Sequence, residues 1–144
     1  YTLSLHDALP IYVFNTCARL ICNEGKYCHL TPLLMELHWL PIELRIEFKI
    51  ILIVFKIFKG LAPSYLSSLI TRKPESRYNL RNSSDKTLLS YPSFKSKATI
   101  GDRAFIFAAP KLWNNLPRDI RESSSINSFK SKLKTFLFKK EFCN

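Results

Sequence analysis

The side chains able to ligate a metal or attack an electrophile are few: Cys17, Cys22, Cys28 and Cys143, with His6, His29 and His38. Cys17, Cys22, Cys28 and His29 could form a Cys/His cluster, but their gaps lack the CxxC pairs that seat two thiolates on one zinc ion. Nor do they make the framework of a disulfide-stapled secreted domain. They read as buried or surface thiols in a reducing compartment, with no metal and no other cofactor. His29 and His38 can be combined with serines and aspartates into triads on paper, yet no serine carries a local nucleophile signature. No catalytic residue is assigned, and His38 beside Trp39 reads as a hydrogen-bonded structural corner.

What remains is cationic chemistry. Lys and Arg number 22 against 11 Asp and Glu, for a net charge of +11, and the segments 71–110 and 111–144 each carry +5 of it. An excess of this kind draws an anionic partner, either nucleic acid or an anionic membrane surface. Lysines and arginines that meet phosphates release counterions, which makes such binding salt-dependent and mostly blind to sequence. The candidate nucleic-acid contacts are Arg81, Lys95, Lys97, Arg103, Lys111, Arg118, Arg121, Lys130 and Lys134. Trp113 has two possible fates, stacking on a base or burial in the core.

The elements that must position these cations follow from apolar spacing. A 47% hydrophobic content and eleven Phe are ample for a packed core. The longest clean apolar run, Ile50–Phe55, lies between Lys49 and Lys56 and is far too short to span a membrane. No secretory signal is present in Tyr1–Ile11.

Tyr12–Asn23 reads as the end of a helix stopped by Asn23 and Gly25. Thr31 reads as the N-cap, with Pro32 at the first position, of a short helix through Leu37. Pro41 opens the longest helix, to about Lys59, with Gly60 as its C-terminal cap. Ala62–Ile70 reads as a further short helix and Thr71–Lys86 as a basic linker.

Leu88–Tyr91 and Phe94–Ile100 could pair as a hairpin. Gly101-Asp102 would cap a helix that Pro110 interrupts or kinks, with Trp113 and Leu116 continuing its apolar face. Ser125–Phe142 reads as an amphipathic helix, with Ile126, Phe129, Leu133, Phe136 and Leu137 on one side and lysines on the rest. The fold expected is mainly α: a small irregular helical assembly with at most a minor β-hairpin near 87–100.

Several of these segments resemble a known family. Leu37–Ile46 (LHWLPIELRI) with Phe48–Leu52, then Leu61–Leu66 (LAPSYL), Gly101–Phe105 (GDRAF), Ala109–Pro117 (APKLWNNLP) and Ser128–Phe138 resemble, in order, the region downstream of the polymerase domain in LINE-type (non-LTR) retrotransposon reverse transcriptases. Ile100 stands where an aromatic is expected, and Ser90-Tyr91-Pro92 is a loose version of a Val-Pro element. The opening YTLSLHDALPI, Tyr1–Ile11, resembles the in-frame translation of a sequencing adapter and is set apart from fold reasoning, so that His6 and Asp7 carry no functional weight. The expectation is a fragment of a larger protein, consistent with a single Met, Met35.

The resemblance implies a division into 1–11 (adapter-derived), 12–37 (end of the helical region after the palm), 38–70 (central helices), 71–100 (basic linker with possible hairpin) and 101–144 (C-terminal helices). It implies a parent RNA-directed DNA polymerase, acting in a cytoplasmic ribonucleoprotein and in the nucleus, whose catalytic aspartate pair holds two metal ions. Asp7, Asp85, Asp102 and Asp119 include no adjacent pair, so the chain itself is expected to be no enzyme.

The expected function is a non-catalytic segment that helps bind template RNA or an RNA/DNA hybrid. The alternative is a packing module in which Phe129, Leu133 and Phe136 dock on the upstream polymerase of the same polypeptide. A membrane-surface role for the basic helix Ser125–Phe142 is a third class; the expected partners are nucleic acid and the upstream polymerase, with no membrane.

Overall fold

A computed structural model describes residues 5–74, 87–93 and 104–143 of the chain, with side chains from residue 9 onward. Among the described residues the structure is helical and contains no β-strand, in agreement with a mainly α fold. The helices are α1 (Leu5–Ile21), α2 (Leu30–Glu36), α3 (Ile42–Phe58), α4 (Ser64–Ser67), α5 (Phe105–Asn114), α6 (Arg118–Arg121) and α7 (Ile126–Phe142). The chain divides into two compact units, Tyr1–Arg45 with Phe136–Asn144, and Ile46–Thr135.

In the first unit the helices end on left-handed residues. A C-terminal turn closes when one residue takes positive φ, so that its amide and the next reach back to two orphan carbonyls. Asn23 (φ 55°) ends α1 in this way and His38 (φ 52°) ends α2. Asn23 donates to the Leu20 carbonyl and Glu24 to that of Arg19, at 3.2 and 2.9 Å; His38 donates to Met35 and Trp39 to Leu34, at 3.1 and 2.8 Å. The expected corner at His38-Trp39-Leu40 is therefore present. It turns Trp39 onto Phe14 (centroids 5.2 Å apart) and His38 onto Phe138 (5.5 Å). Ala18, Leu33, Leu34, Leu40, Leu44 and Leu137 are buried.

The second unit is built on aromatic contact. Phe55 of α3 stacks on Phe129 of α7 at 4.0 Å, Phe58 stacks on Trp113 of α5 at 5.1 Å, and Trp113 lies tilted against Phe129 at 6.0 Å. Ile51, Leu52, Val54, Leu89, Ala109, Pro110, Leu116, Ile120 and Leu133 are also buried in this unit, as is Ser123. Gly60 (φ 71°) closes α3 by the same turn as Asn23 and His38: Gly60 donates to Ile57 and Leu61 to Lys56.

The segment before α5 is fastened by two neighbouring side chains. The indole Nε1 of Trp113 donates to the Thr87 carbonyl at 2.7 Å. The amide of Asn114 accepts from the Leu89 N–H at 3.0 Å and donates to the Leu89 carbonyl at 2.9 Å. Leu89 also bridges Arg72 in antiparallel fashion, with Lys73 donating to Leu88 and Ser90 to Thr71, both at 2.9 Å.

Several boundaries differ from expectation, each for a local reason. Helix α1, of which Tyr12–Asn23 reads as the end, runs back to Leu5 through Pro10 and Ile11, so it includes part of the segment set apart from fold reasoning. Helix α2 starts at Leu30 with His29 at the N-cap, so Thr31 caps nothing. The first amides of a helix have no acceptor within it, so Pro32 is tolerated in the third position as well as the first. Helix α4 is one turn, not Ala62–Ile70: the Ser68 hydroxyl donates to the Tyr65 carbonyl at 2.9 Å and Leu69 N–H goes to Leu66, so the next helical bond is never made.

Pro110 does not interrupt α5, which continues through it. The helix begins after Ala104 with no side-chain cap; the expected cap Gly101-Asp102 lies outside the described residues. The short α6 has no counterpart among the elements expected from apolar spacing. Leu88–Ser90 pairs with Thr71–Lys73, and the other half of the expected hairpin, Phe94–Ile100, lies outside the described residues.

Leu89 is 1% exposed, so its backbone groups have no water to replace Asn114. Asn114→Ala is expected to destabilise the chain by about 2 kcal/mol, the cost of leaving buried backbone groups unpaired. Urea denaturation measures this; an unchanged midpoint would mean that the pairing contributes nothing.

Candidate nucleic-acid interface

Helix α7 carries its lysines outward because its apolar stripe is taken up inside. Ser125 caps it, its hydroxyl accepting from the Ser128 N–H at 3.2 Å. Phe129, Leu133 and Leu137 follow at helical spacing and are buried, with Ile126 and Phe136 partly so. The remaining positions, Lys130, Lys132, Lys134, Lys139 and Lys140, are exposed. Lys130 and Lys134, four residues apart, share one face. Lys132 reaches from α7 to α6, its ammonium donating to the Asp119 carbonyl at 3.3 Å.

The other expected contacts fare differently. Lys111 is exposed on α5. Arg118 is exposed but engaged: its Nε donates to Glu122 Oε1 at 2.6 Å. That pair is surface-exposed and four residues apart with the cation first, the weaker order, and contributes only a few tenths of a kcal/mol. Arg121, also on α6, is partly buried. Arg81, Lys95, Lys97 and Arg103 lie outside the described residues.

Lys111, Lys130 and Lys134, with the ion-paired Arg118, are thus the expected contacts that the structure holds at the surface. Acidic residues of the second unit, among the described ones, are confined to Glu47, Asp119 and Glu122.

Trp113 is 1% exposed, which ends its candidacy as a base-stacking platform. Its ring is held between Phe58 and Phe129 and its one polar atom is bonded to Thr87. Phe129 and Leu133 likewise face inward at 0% exposure, so they cannot be the docking residues of a packing module.

Sequence reasoning passed over Arg45 and Asn114. The Arg45 guanidinium lies 4.1 Å from the Phe14 centroid and 5.5 Å from that of Trp39, and its Nε donates to the Leu40 carbonyl at 2.9 Å. Burial lowers its pKa, yet a guanidinium stays charged at any working pH. Beside it runs an apolar groove of about 680 Å³ lined by Leu9, Pro10, Val13, Phe14, Cys17 and Trp39. The sequence signal for Arg45 was its place within one helical turn of Pro41 and close to Trp39. For Asn114 there was none, because an Asn at a helix end reads as a stop signal.

The cysteines form no centre. No group of three or more His, Cys, Asp or Glu that could hold a metal occurs among the described residues. Cys28 and Cys22 are unpaired thiols. Loss of hydration raises both pKa values, helped at Cys22 by Glu36 and Glu24 and at Cys28 by Glu24. His38 Nδ1 sits 3.2 Å from the Glu36 carbonyl, a structural contact at the corner.

Comparison with protein-family models, with curated proteins and with solved structures finds no match to this chain.

A raised thiol pKa keeps the reactive thiolate scarce at neutral pH and moves its appearance to higher pH. Alkylation of Cys22 and Cys28, followed residue by residue by mass spectrometry, is therefore expected to rise at a higher pH than that of free cysteine. Equal or lower midpoints would contradict the desolvated, acid-flanked setting.

Proposed function

We propose that the chain from Tyr12 onward is a non-catalytic segment of a LINE-type RNA-directed DNA polymerase that helps hold template RNA or an RNA/DNA hybrid. The ordered motifs from LHWLP to APKLWNNLP support the parentage. The observation that carries the binding role is the pair Lys130 and Lys134, exposed together on one face of a helix whose apolar stripe is buried. A rigid helix presents cations at fixed spacing, and the core beneath it contributes no acids. The chemistry is phosphate neutralisation without base readout from this face, since Trp113 is enclosed. In this reading the tail acts beside the catalytic palm and supplies no reacting group of its own.

The test uses the full chain and fluorescence anisotropy with RNA and with RNA/DNA hybrid at several salt concentrations. Replacing Lys130 and Lys134 by Glu is expected to weaken binding to both and to flatten the plot of log K against log salt, by about 0.7–0.9 for each phosphate no longer neutralised. An unaltered slope in the double variant would overturn the assignment of these lysines, and absence of binding by the unsubstituted chain at low salt would overturn the role itself.

One observation favours a second reading, a packing module. Helix α1 exposes Tyr12, Val13, Leu20 and Ile21, with Leu20 at 73%. Apolar surface gathered on one helix marks an interaction face, here on α1 rather than on the Phe129 side of α7. Val13→Glu with Leu20→Glu is expected to reduce self-association of the chain in analytical ultracentrifugation while leaving nucleic-acid binding unchanged. A chain that is monomeric before substitution would remove this reading. No helix among the described residues is long and apolar enough to cross a membrane.

A further inference from the structure

The guanidinium of Arg45 lies over Phe14 and Trp39 and forms part of the wall of the groove of about 680 Å³ in the first unit. Val13, Phe14, Cys17 and Trp39, which build the wall with it, all lie beyond Ile11. The side chains around the groove offer a guanidinium, an indole N–H and a thiol, and no oxygen. An occupant must therefore bring the acceptor. Nε of Arg45 is spent on the Leu40 carbonyl, and among the described residues its two terminal nitrogens meet no acceptor. Paired N–H groups on a guanidinium match the two oxygens of a carboxylate.

The apolar part of the surface decides between a small anion and a larger partner. Val13, Cys17, Leu20 and Ile21 recur three and four residues apart and share one face of α1. That face is open to water, with Val13 55%, Leu20 73% and Ile21 58% exposed. From Val13 to Ile21 it runs about 12 Å along the helix axis. A fatty acid or other small anion seated in the groove would leave Leu20 and Ile21 uncovered.

A second helix laid along α1 covers the whole stripe, because side-chain ridges of one helix seat in the grooves of another. A nucleic acid would answer Arg45 but has no apolar face for the stripe. A second copy of α1 would cover the stripe but bring no acid, since Tyr12–Ile21 contains none.

We infer that Arg45, Phe14, Trp39 and the α1 stripe dock an acidic amphipathic helix of a partner protein. A Glu or Asp flanking the partner's apolar face pairs with the Arg45 guanidinium. The inference goes beyond the packing reading above: it shares with it the exposed face of α1, adds Arg45 and the partner's chemistry, and requires no self-association.

The test uses the full chain and two synthetic helical peptides at physiological salt, followed by fluorescence anisotropy. One carries leucines at i, i+3, i+4 and i+7 with glutamates along both flanks; the other has glutamines at those flanking positions. The glutamine peptide is expected to bind the unsubstituted chain about tenfold more weakly, the worth of a charge-assisted hydrogen bond. Arg45→Gln is expected to bind the two peptides equally, and Val13→Glu to bind neither. The peptide exchange leaves the protein untouched, so it reads the pairing even where Arg45→Gln disturbs the corner, which circular dichroism reports.

Equal binding of both peptides by the unsubstituted chain overturns the pairing, and binding indifferent to Val13→Glu overturns the face. Binding of neither peptide overturns the inference and leaves the nucleic-acid role where it stands. Val13-dependent binding of phosphatidylserine vesicles in place of the peptides overturns it in favour of a membrane surface. Self-association that the glutamate peptide fails to displace overturns it in favour of a second copy.

Discussion

The burial of Trp113 is the constraint on which the second unit depends. An indole can enter a core only if its N–H finds an acceptor, because an unpaired donor there costs more than the ring's burial can spare. The Thr87 carbonyl meets that need at 2.7 Å, and in doing so it fixes the position of a segment with no regular structure of its own. The ring then supplies surfaces for Phe58 of α3 and, through a tilted contact, for Phe129 of α7. Three segments distant in sequence are therefore set by one side chain. The outward direction of the α7 lysines is a consequence, since Phe129 can face the cluster only if positions 130 and 134 face away.

Helix identity was largely legible in the sequence, and helix ends were legible only in part. The apolar spacing of α3 and α7 and the stops at Asn23 and Gly60 follow from rules of local geometry. His38 shows where such rules thin out: left-handed conformation at a histidine is uncommon, and the resemblance of LHWLP to a recurrent motif points to the corner without explaining it. The explanation is tertiary. His38 gains a stacking partner in Phe138 and Trp39 gains Phe14, contacts that compensate a backbone strain of about 1–2 kcal/mol. Pro32 and Pro110 mark the opposite failure. Proline is read as punctuation, yet the first turn of a helix lacks acceptors, and packing around a buried Pro110 holds α5 together across the missing bond.

The cations were legible as a class and not as individuals. Composition places the excess in the second half of the chain, and the 3.6-residue period separates the lysines of α7 from its apolar stripe. Pairing is a matter of side-chain reach: Arg118 is engaged by Glu122 and Lys132 by a backbone carbonyl. Arg45 escaped notice because its significance lies in the faces of Phe14 and Trp39, one of them on another helix, and no spacing rule joins those positions. Of the two fates that sequence left open to Trp113, burial is the one taken, while Tyr91 stands in water.

Asn114 has a consequence beyond holding Leu89. A lone antiparallel bridge exposes, on its outer flank, a backbone donor and acceptor of the kind that invites another chain to add a strand. Leu89 turns those groups away from Thr71–Lys73, and the carboxamide of Asn114 occupies both, imitating the neighbour that a sheet would provide. The bridge is thereby terminated by a side chain. On the Leu89 flank the short extended segment therefore has no free backbone pair to offer a second chain.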